Sequence, residues 1–245
     1  MPSRHDHVDD PKLAAALLLA RRGTAYFSRK LAELADDDFD GPSLLPGWSR
    51  RYVIAHVGYN ARALTRLLEW AATGVETPMY ASPEQRLAEI DYGATLSPLA
   101  LRHLVAHSAV HLNVEWRDLP ASAWHAEVRT AQGRTVPASE TVWLRTREVW
   151  IHAVDLDNGG SFTVAPPELV DALTADVIAG WARRGTLPDV RLAPTDRAAQ
   201  VLAGHGDNPA TLSGTAADLL RWATGRGHHR ITASGGDVPD APTWL

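Results

Sequence analysis

Arg147-Glu148-Val149-Trp150-Ile151-His152 places a carboxylate and an imidazole four residues apart inside a run of helical character. At about 100° per residue, positions i and i+4 lie on one helix face, one turn apart. Two donors stacked in this way make half of a metal site. A catalytic zinc site of two histidines and one glutamate, or a non-heme iron facial triad of the same donors, needs one more imidazole. His56, on an earlier helix, is the candidate. The helix holding the pair reads from about Pro137 to Asp157. Val142, Val149, Ala153 and Leu156 give it one apolar side, and Trp143, Trp150 and Val154 a second. Thr141, Leu144, Glu148, Ile151, His152 and Asp155 form a mixed third side. A helix apolar nearly all round is a buried one. A glutamate buried there is expensive unless it is paired or coordinates a cation. The competing reading, a surface ion pair of Glu148 with Arg145 or Arg147, fits poorly with such large apolar neighbours.

Upstream, Asp10-Pro11 opens a first helix, with Asp as N-cap and Pro at the first helical position. Leu13, Leu17, Ala20, Thr24, Phe27, Leu31 and Leu34 follow at helical spacing, and Asp36-Asp37-Asp38 ends it as a solvated loop. Leu44-Leu45-Pro46-Gly47-Trp48-Ser49 turns into a second helix capped by Ser49. Its inward stripe holds Tyr52, Val53, His56, Tyr59, Asn60, Ala63 and Leu67. Alone, His56 would be a core histidine with one hydrogen bond; the second half-site makes it a ligand candidate. Asn60 and Asp155 read equally as groups that orient the two imidazoles or as plain packing and capping groups. Residues 73–96 form a long irregular connection with a short helix from Pro83 to Ile90, a kind of segment that often lines a site. Ser97-Pro98 opens a third long helix with an inward face of Leu101, Leu104, Val105, Ser108 and Leu112. His103, His107 and His111 on that helix have metal-ligand spacing but lie off the apolar stripe. They read as a solvent face open to adventitious metal. Residues 120–136 suggest a short hairpin.

Composition shifts after Gly159-Gly160. The fold expected is two-domain α+β: an antiparallel four-helix bundle over 1–160 and a small α+β domain over 161–245. In the second, Pro167 to Arg184 reads as helix. Val190 to Ala193, Ala199 to Leu202, Ala210 to Ser213 and Ile231 to Ser234 read as strands, with breaks at Pro194, Gly204, Gly206 and Pro209. Thr215 starts a further helix running through Thr224, with Gly225 past its end. Gly225-Arg226-Gly227 could offer a guanidinium fork to a carboxylate. From the residues alone it is a cap loop with a solvent arginine. No P-loop, dinucleotide fingerprint or nucleophile-elbow motif occurs.

The bulk numbers exclude several classes. Of 245 residues, 45% are hydrophobic and 22% charged, as in soluble globular proteins. A net charge of -5 argues against a nucleic-acid or anionic-membrane surface. There is no cysteine, so no disulfide, thiolate metal site or protein thiol nucleophile. Leu13 to Ala20 is too short to span a bilayer and lacks the flanks of a signal peptide. The expectation is a cytoplasmic protein.

The chain resembles the mycothiol-dependent maleylpyruvate isomerases, within the DinB-like metal-binding helical bundles. The resemblance spans essentially the whole chain. It is strongest in Leu44 to Trp48 with Ile54-Ala55-His56-Val57, in Glu76 to Tyr80, from Ala131 to Thr141, and from Arg147 through Leu156. It recurs in Ala223 to Gly227 and in the terminal Trp244-Leu245. It implies His56, Glu148 and His152 as ligands of one catalytic zinc and Arg226 as a catalytically important arginine on the second domain. The implied reaction is cis-to-trans isomerisation of maleylpyruvate to fumarylpyruvate in gentisate breakdown, with mycothiol as thiol cosubstrate. A monomer is expected. A borrowed thiol suits a chain without cysteine. The same site would also serve a mycothiol S-transferase, a non-catalytic ligand-binding regulatory module or, more weakly, a hydrolase.

Overall fold

The computed structural model describes residues 6–198, 201–202 and 209–243, the pair 201–202 in backbone only. The start of the strand expected at Ala199, the breaks at Gly204 and Gly206, and Trp244-Leu245 lie outside the described residues. The chain divides into two compact units, Met1–Gly160 and Ser161–Leu245.

In the first unit, α1 (Pro11–Glu33) begins where Asp10 accepts the Lys12 amide at 2.9 Å, with Pro11 in the first turn. Leu17, Ala20, Phe27 and Leu31 form its buried stripe. The three aspartates that follow lie in a 3₁₀ turn, Asp36–Asp40, with Phe39 fully buried beneath them. Asp36 pairs with Arg102 at 2.9 Å, so the acidic run is more than a solvated loop. α2 (Arg50–Thr73) starts after Ser49, whose side chain makes no cap bond, and stops at Gly74 with φ 73°. α3 (Pro83–Ala94) is a full helix capped by Ser82, longer than the short helix expected there. α4 (Pro98–Asp118) is capped by Ser97 through the Ala100 amide. Its expected inward face, Leu101, Leu104, Val105, Ser108 and Leu112, is buried.

The hairpin is β1 (Glu127–Arg129) against β2 (Thr135–Pro137), antiparallel, with Val128 and Val136 inward. Because β2 takes residues up to Pro137 for its ladder, α5 (Glu140–Asp155) begins three residues later than helical periodicity predicts. α2 packs against α4, α5 and α3, while α1 packs against α5 and α4.

The second unit contains α6 (Pro167–Arg184), β3 (Val190–Pro194), β4 (Val201–Leu202), β5 (Ala210–Gly214), α7 (Ala216–Ala223) and β6 (Thr232–Ala233). The sheet order is β4-β3-β5-β6, with β3 and β5 parallel and the outer pairs antiparallel. Trp181 and Trp222 meet edge to face at 5.8 Å between α6 and α7. Their indole N–H groups donate to the carbonyls of Pro242 and Pro239, which ties down the Pro-rich tail. Among the described residues no helix is long and apolar enough to cross a membrane.

Gly23 of α1 lies directly against α5. A Cβ there would lie 2.4 Å from Trp150 Nε1 and 2.6 Å from Val149 Cγ2. The Trp150 indole is itself fixed by donating to Leu19 O at 3.2 Å. Gly23→Ala is therefore expected to destabilise the fold. Overpacking costs about 1–3 kcal/mol, against about 1 kcal/mol gained in helix propensity. Chemical denaturation measures the sign, and an increase in stability would contradict this packing.

Candidate metal centre

Two helices and one turn build the site. His56 sits in the middle of α2, 6% exposed, and His152 near the end of α5, 3% exposed. Glu148 lies one turn before His152 and keeps a narrow open edge, 13% of its side chain. One carboxylate oxygen, Oε2, lies 2.8 Å from His56 Nε2 and 3.1 Å from His152 Nε2. The two imidazoles meet edge to face, 4.9 Å between centroids at 89°. One donor atom from each of the three side chains falls within 4.8 Å of the others. Glu148 thus turns to the histidines, not to Arg145 or Arg147 as a surface ion pair would require.

Asp155 supplies the orienting contact. Its Oδ2 lies 2.8 Å from His152 Nδ1, and the residue is fully buried. Asn60 does not play the matching part for His56. Its Oδ1 accepts from Arg145 Nη1 at 3.0 Å, and the same nitrogen donates to Val57 O at 2.8 Å. His56 Nδ1 is buried without a hydrogen-bond partner among the described residues. What flanks His56 instead is Trp48, edge to face at 5.7 Å. The turn before α2 aims it there. The Trp48 amide donates to Leu45 O at 3.0 Å around Pro46-Gly47, with Gly47 at φ 78°, the arrangement a type II turn demands. The turn is anchored to the end of α5 by Leu44 N to Asp155 O, 3.0 Å, and Arg50 Nε to Leu156 O, 2.6 Å.

The connection after α2 brings two further residues that periodicity could not place. Arg66 donates to Met79 O and pairs with Glu89 at 3.1 Å, fixing the segment that carries Tyr80. Burial pushes the Tyr80 phenol up to about 12, with Arg86 and Glu148 within electrostatic reach. Arg86, on α3, also acts electrostatically on His56. Arg226, the fourth predicted site residue, belongs to the second unit. It is 7% exposed, not a solvent arginine, and its Nη1 donates to Thr224 O.

Protonation follows from these contacts. Burial pushes the His56 imidazole below its ordinary value, against the pull of Glu148. Burial alone would raise Glu148, but the imidazoles of His56 and His152 hold it well below the usual carboxylate range. Burial opposes a charged His152 too, yet hydrogen bonds to Asp155 and Glu148 raise it to about 9. Near neutrality the cluster is therefore a neutral His56, an anionic Glu148 and a cationic His152. Two imidazoles and a carboxylate, one ring already fixed by Asp155, are a donor set that suits zinc and leaves room for exogenous ligand.

A ligand imidazole must be neutral, so a dication entering here displaces the His152 proton. Titration calorimetry in buffers of different ionisation enthalpy should find about one proton released per metal at pH 7–8. Metal-free protein should show the linked stability change. The folded value of His152, about 9, lies above the ordinary 6.5. Its contribution is thus full below pH 6.5 and lost as pH rises through 9. Thermal melts across that window should decline in metal-free protein.

Residues 20–157 match the mycothiol maleylpyruvate isomerase N-terminal domain, and residues 165–243 match the MDMPI C-terminal domain. Two crystal structures, of the mycothiol-dependent maleylpyruvate isomerase and of its histidine-to-alanine mutant, each align with a TM-score of 0.91 and 47% identity. Each alignment covers 96% of this chain and 98% of the other. Among curated proteins none matches. With both units matched and nearly half of the residues identical over almost the full length, the chain belongs to the mycothiol maleylpyruvate isomerase family.

Proposed function

We propose that the chain is a zinc- and mycothiol-dependent isomerase converting maleylpyruvate to fumarylpyruvate. The observation that carries this is the buried cluster of His56, Glu148 and His152 in a family member that has no thiol of its own. We read α1, α2, α4 and α5 as a four-helix bundle with α3 inserted, and residues 161–245 as a second domain that contributes Arg226. We place the enzyme in the cytoplasm as a monomer.

Direct rotation about a carbon–carbon double bond is prohibitive, so a nucleophile must add first. The mycothiol sulfur, as thiolate, bonds to one olefinic carbon, and the π electrons pass into the conjugated carbonyl as an enolate. The resulting single bond rotates. The enolate then re-forms the alkene in the trans form and expels the thiolate, so no thiol is consumed. His56, Glu148 and His152 would hold zinc, which when bound supplies a Lewis-acidic position at which a thiol ionises near neutral pH. Asp155 holds the His152 ring in place. Tyr80 stays protonated throughout the neutral range and can donate a hydrogen bond to a substrate oxygen. The Arg86 and Arg226 guanidinium groups are assigned to the substrate's carboxylates and to the enolate-type charge.

The deciding assay mixes purified protein, zinc, mycothiol and maleylpyruvate. Formation of fumarylpyruvate with thiol conserved supports the isomerase. A stable adduct that consumes thiol would make the chain an S-transferase instead. Glu148→Ala should lose bound zinc and all measurable turnover, since two imidazoles remain. Arg226→Ala should retain zinc while kcat falls about 10²–10³-fold, the usual effect of removing one anion-stabilising donor. Elemental analysis beside the kinetics separates the two variants. Normal turnover by Arg226→Ala would remove Arg226 from the mechanism.

A further inference from the structure

We propose that the outward face of α4 carries a second, exposed site for a transition-metal dication, with His103 and His107 as its protein ligands. The two residues are one helical turn apart and both rings are exposed. Their ring centroids lie 5.6 Å apart with planes tilted by 38°. The His56–His152 pair of the interior cluster stands at 4.9 Å. Nitrogens at about 2.0–2.1 Å from one shared ion require rings this close. The helix pre-organises them. Leu101, Leu104, Val105 and Ser108 are buried on the opposite face, which fixes the direction in which residues 103 and 107 point. One turn further, His111 is differently engaged, 3.3 Å from Glu115.

The ligand class follows from the donors. Two imidazoles completed by water suit borderline transition metals, with copper(II) preferred over nickel(II) and zinc(II). Calcium and magnesium demand oxygen ligands and are excluded. With two protein donors in open solvent against three in a buried cluster, this site is the weaker one. The inference goes beyond the proposed isomerase and does not rest on it. It also bears on metal stoichiometry, because copper or nickel that His103→Ala or His107→Ala fails to take up reports α4 and not the interior.

Copper(II) is the probe, titrated into the full zinc-loaded chain and followed by calorimetry and electron paramagnetic resonance. The wild type should take up copper at a site whose spectrum shows nitrogen coordination. His103→Ala and His107→Ala should each lose this step, while His111→Ala keeps it. Both substitutions are at exposed helix positions away from the interior cluster, so zinc content serves as the control for folding. Copper uptake unchanged in His107→Ala, or no such uptake by the wild type, overturns the proposal. In Glu148→Ala the α4 step should persist while interior zinc is lost. Failure of the isomerase reading would therefore look different from failure of this one.

Discussion

A single carboxylate oxygen shared by two imidazoles sets the terms for the first unit. Glu148 Oε2 is within hydrogen-bond distance of both His56 and His152. A carboxylate with so little water contact is tolerable only with positive charge or donors against it. One imidazole comes from the same helix at i+4, which costs nothing in topology. The other must come from α2, so α2 and α5 are obliged to stay in register. Arg145 does this. From α5, one turn before Glu148, its Nη1 bonds both the carbonyl of Val57 and the side chain of Asn60 on α2. Those residues follow His56 by one and four positions. Burial lowers the Arg145 guanidinium to about 10, still charged at neutrality.

Two guanidinium groups act on the cluster. Arg145 lies one turn before Glu148 and feels its charge, and Arg86 on α3 acts electrostatically on His56 and on Tyr80. A dication held by His56, Glu148 and His152 would add to that positive charge, which favours an anionic ligand over a neutral one.

Much of this was legible before any coordinates. The i, i+4 pair, the inward stripe of α2 and the buried side of α4 all follow from a 3.6-residue period, and His56, Glu148 and His152 do converge. Spacing leaves Asp155 and Asn60 open between orienting an imidazole and plain packing or capping. Asp155 does meet the His152 ring, whereas Asn60 does not serve His56, because periodicity cannot show that a buried arginine on another helix claims its oxygen. The start of α5 was misplaced, because the strand pairing of Thr135–Pro137 competes with helix and only long-range contacts decide between them. Trp48 and Tyr80 lie in a turn and a connection, where no period exists to project them onto a site, and Arg86 lies on α3, whose period does not show where that helix docks. Trp48 and Tyr80 were visible only inside the stretches that carry the family resemblance.

Arg226 shows the same limit from the other side. Composition around Gly225-Arg226-Gly227 suggests a helix end with an arginine in water, and the helix end is real: Gly225 has φ 78° and Gly227 φ 90°. A side chain at either position would be strained, so both glycines serve the backbone path. That path bends the chain back, and the arginine lies against the C-terminal carbonyls of α7, donating to Thr224 O. There the helix dipole favours a cation. A buried guanidinium held in this way has few rotamers left to lose. Two glycines around one arginine are therefore a device for holding a charge still. Nothing in hydrophobic periodicity distinguishes that device from an ordinary cap, which is why burial and not sequence decides between them.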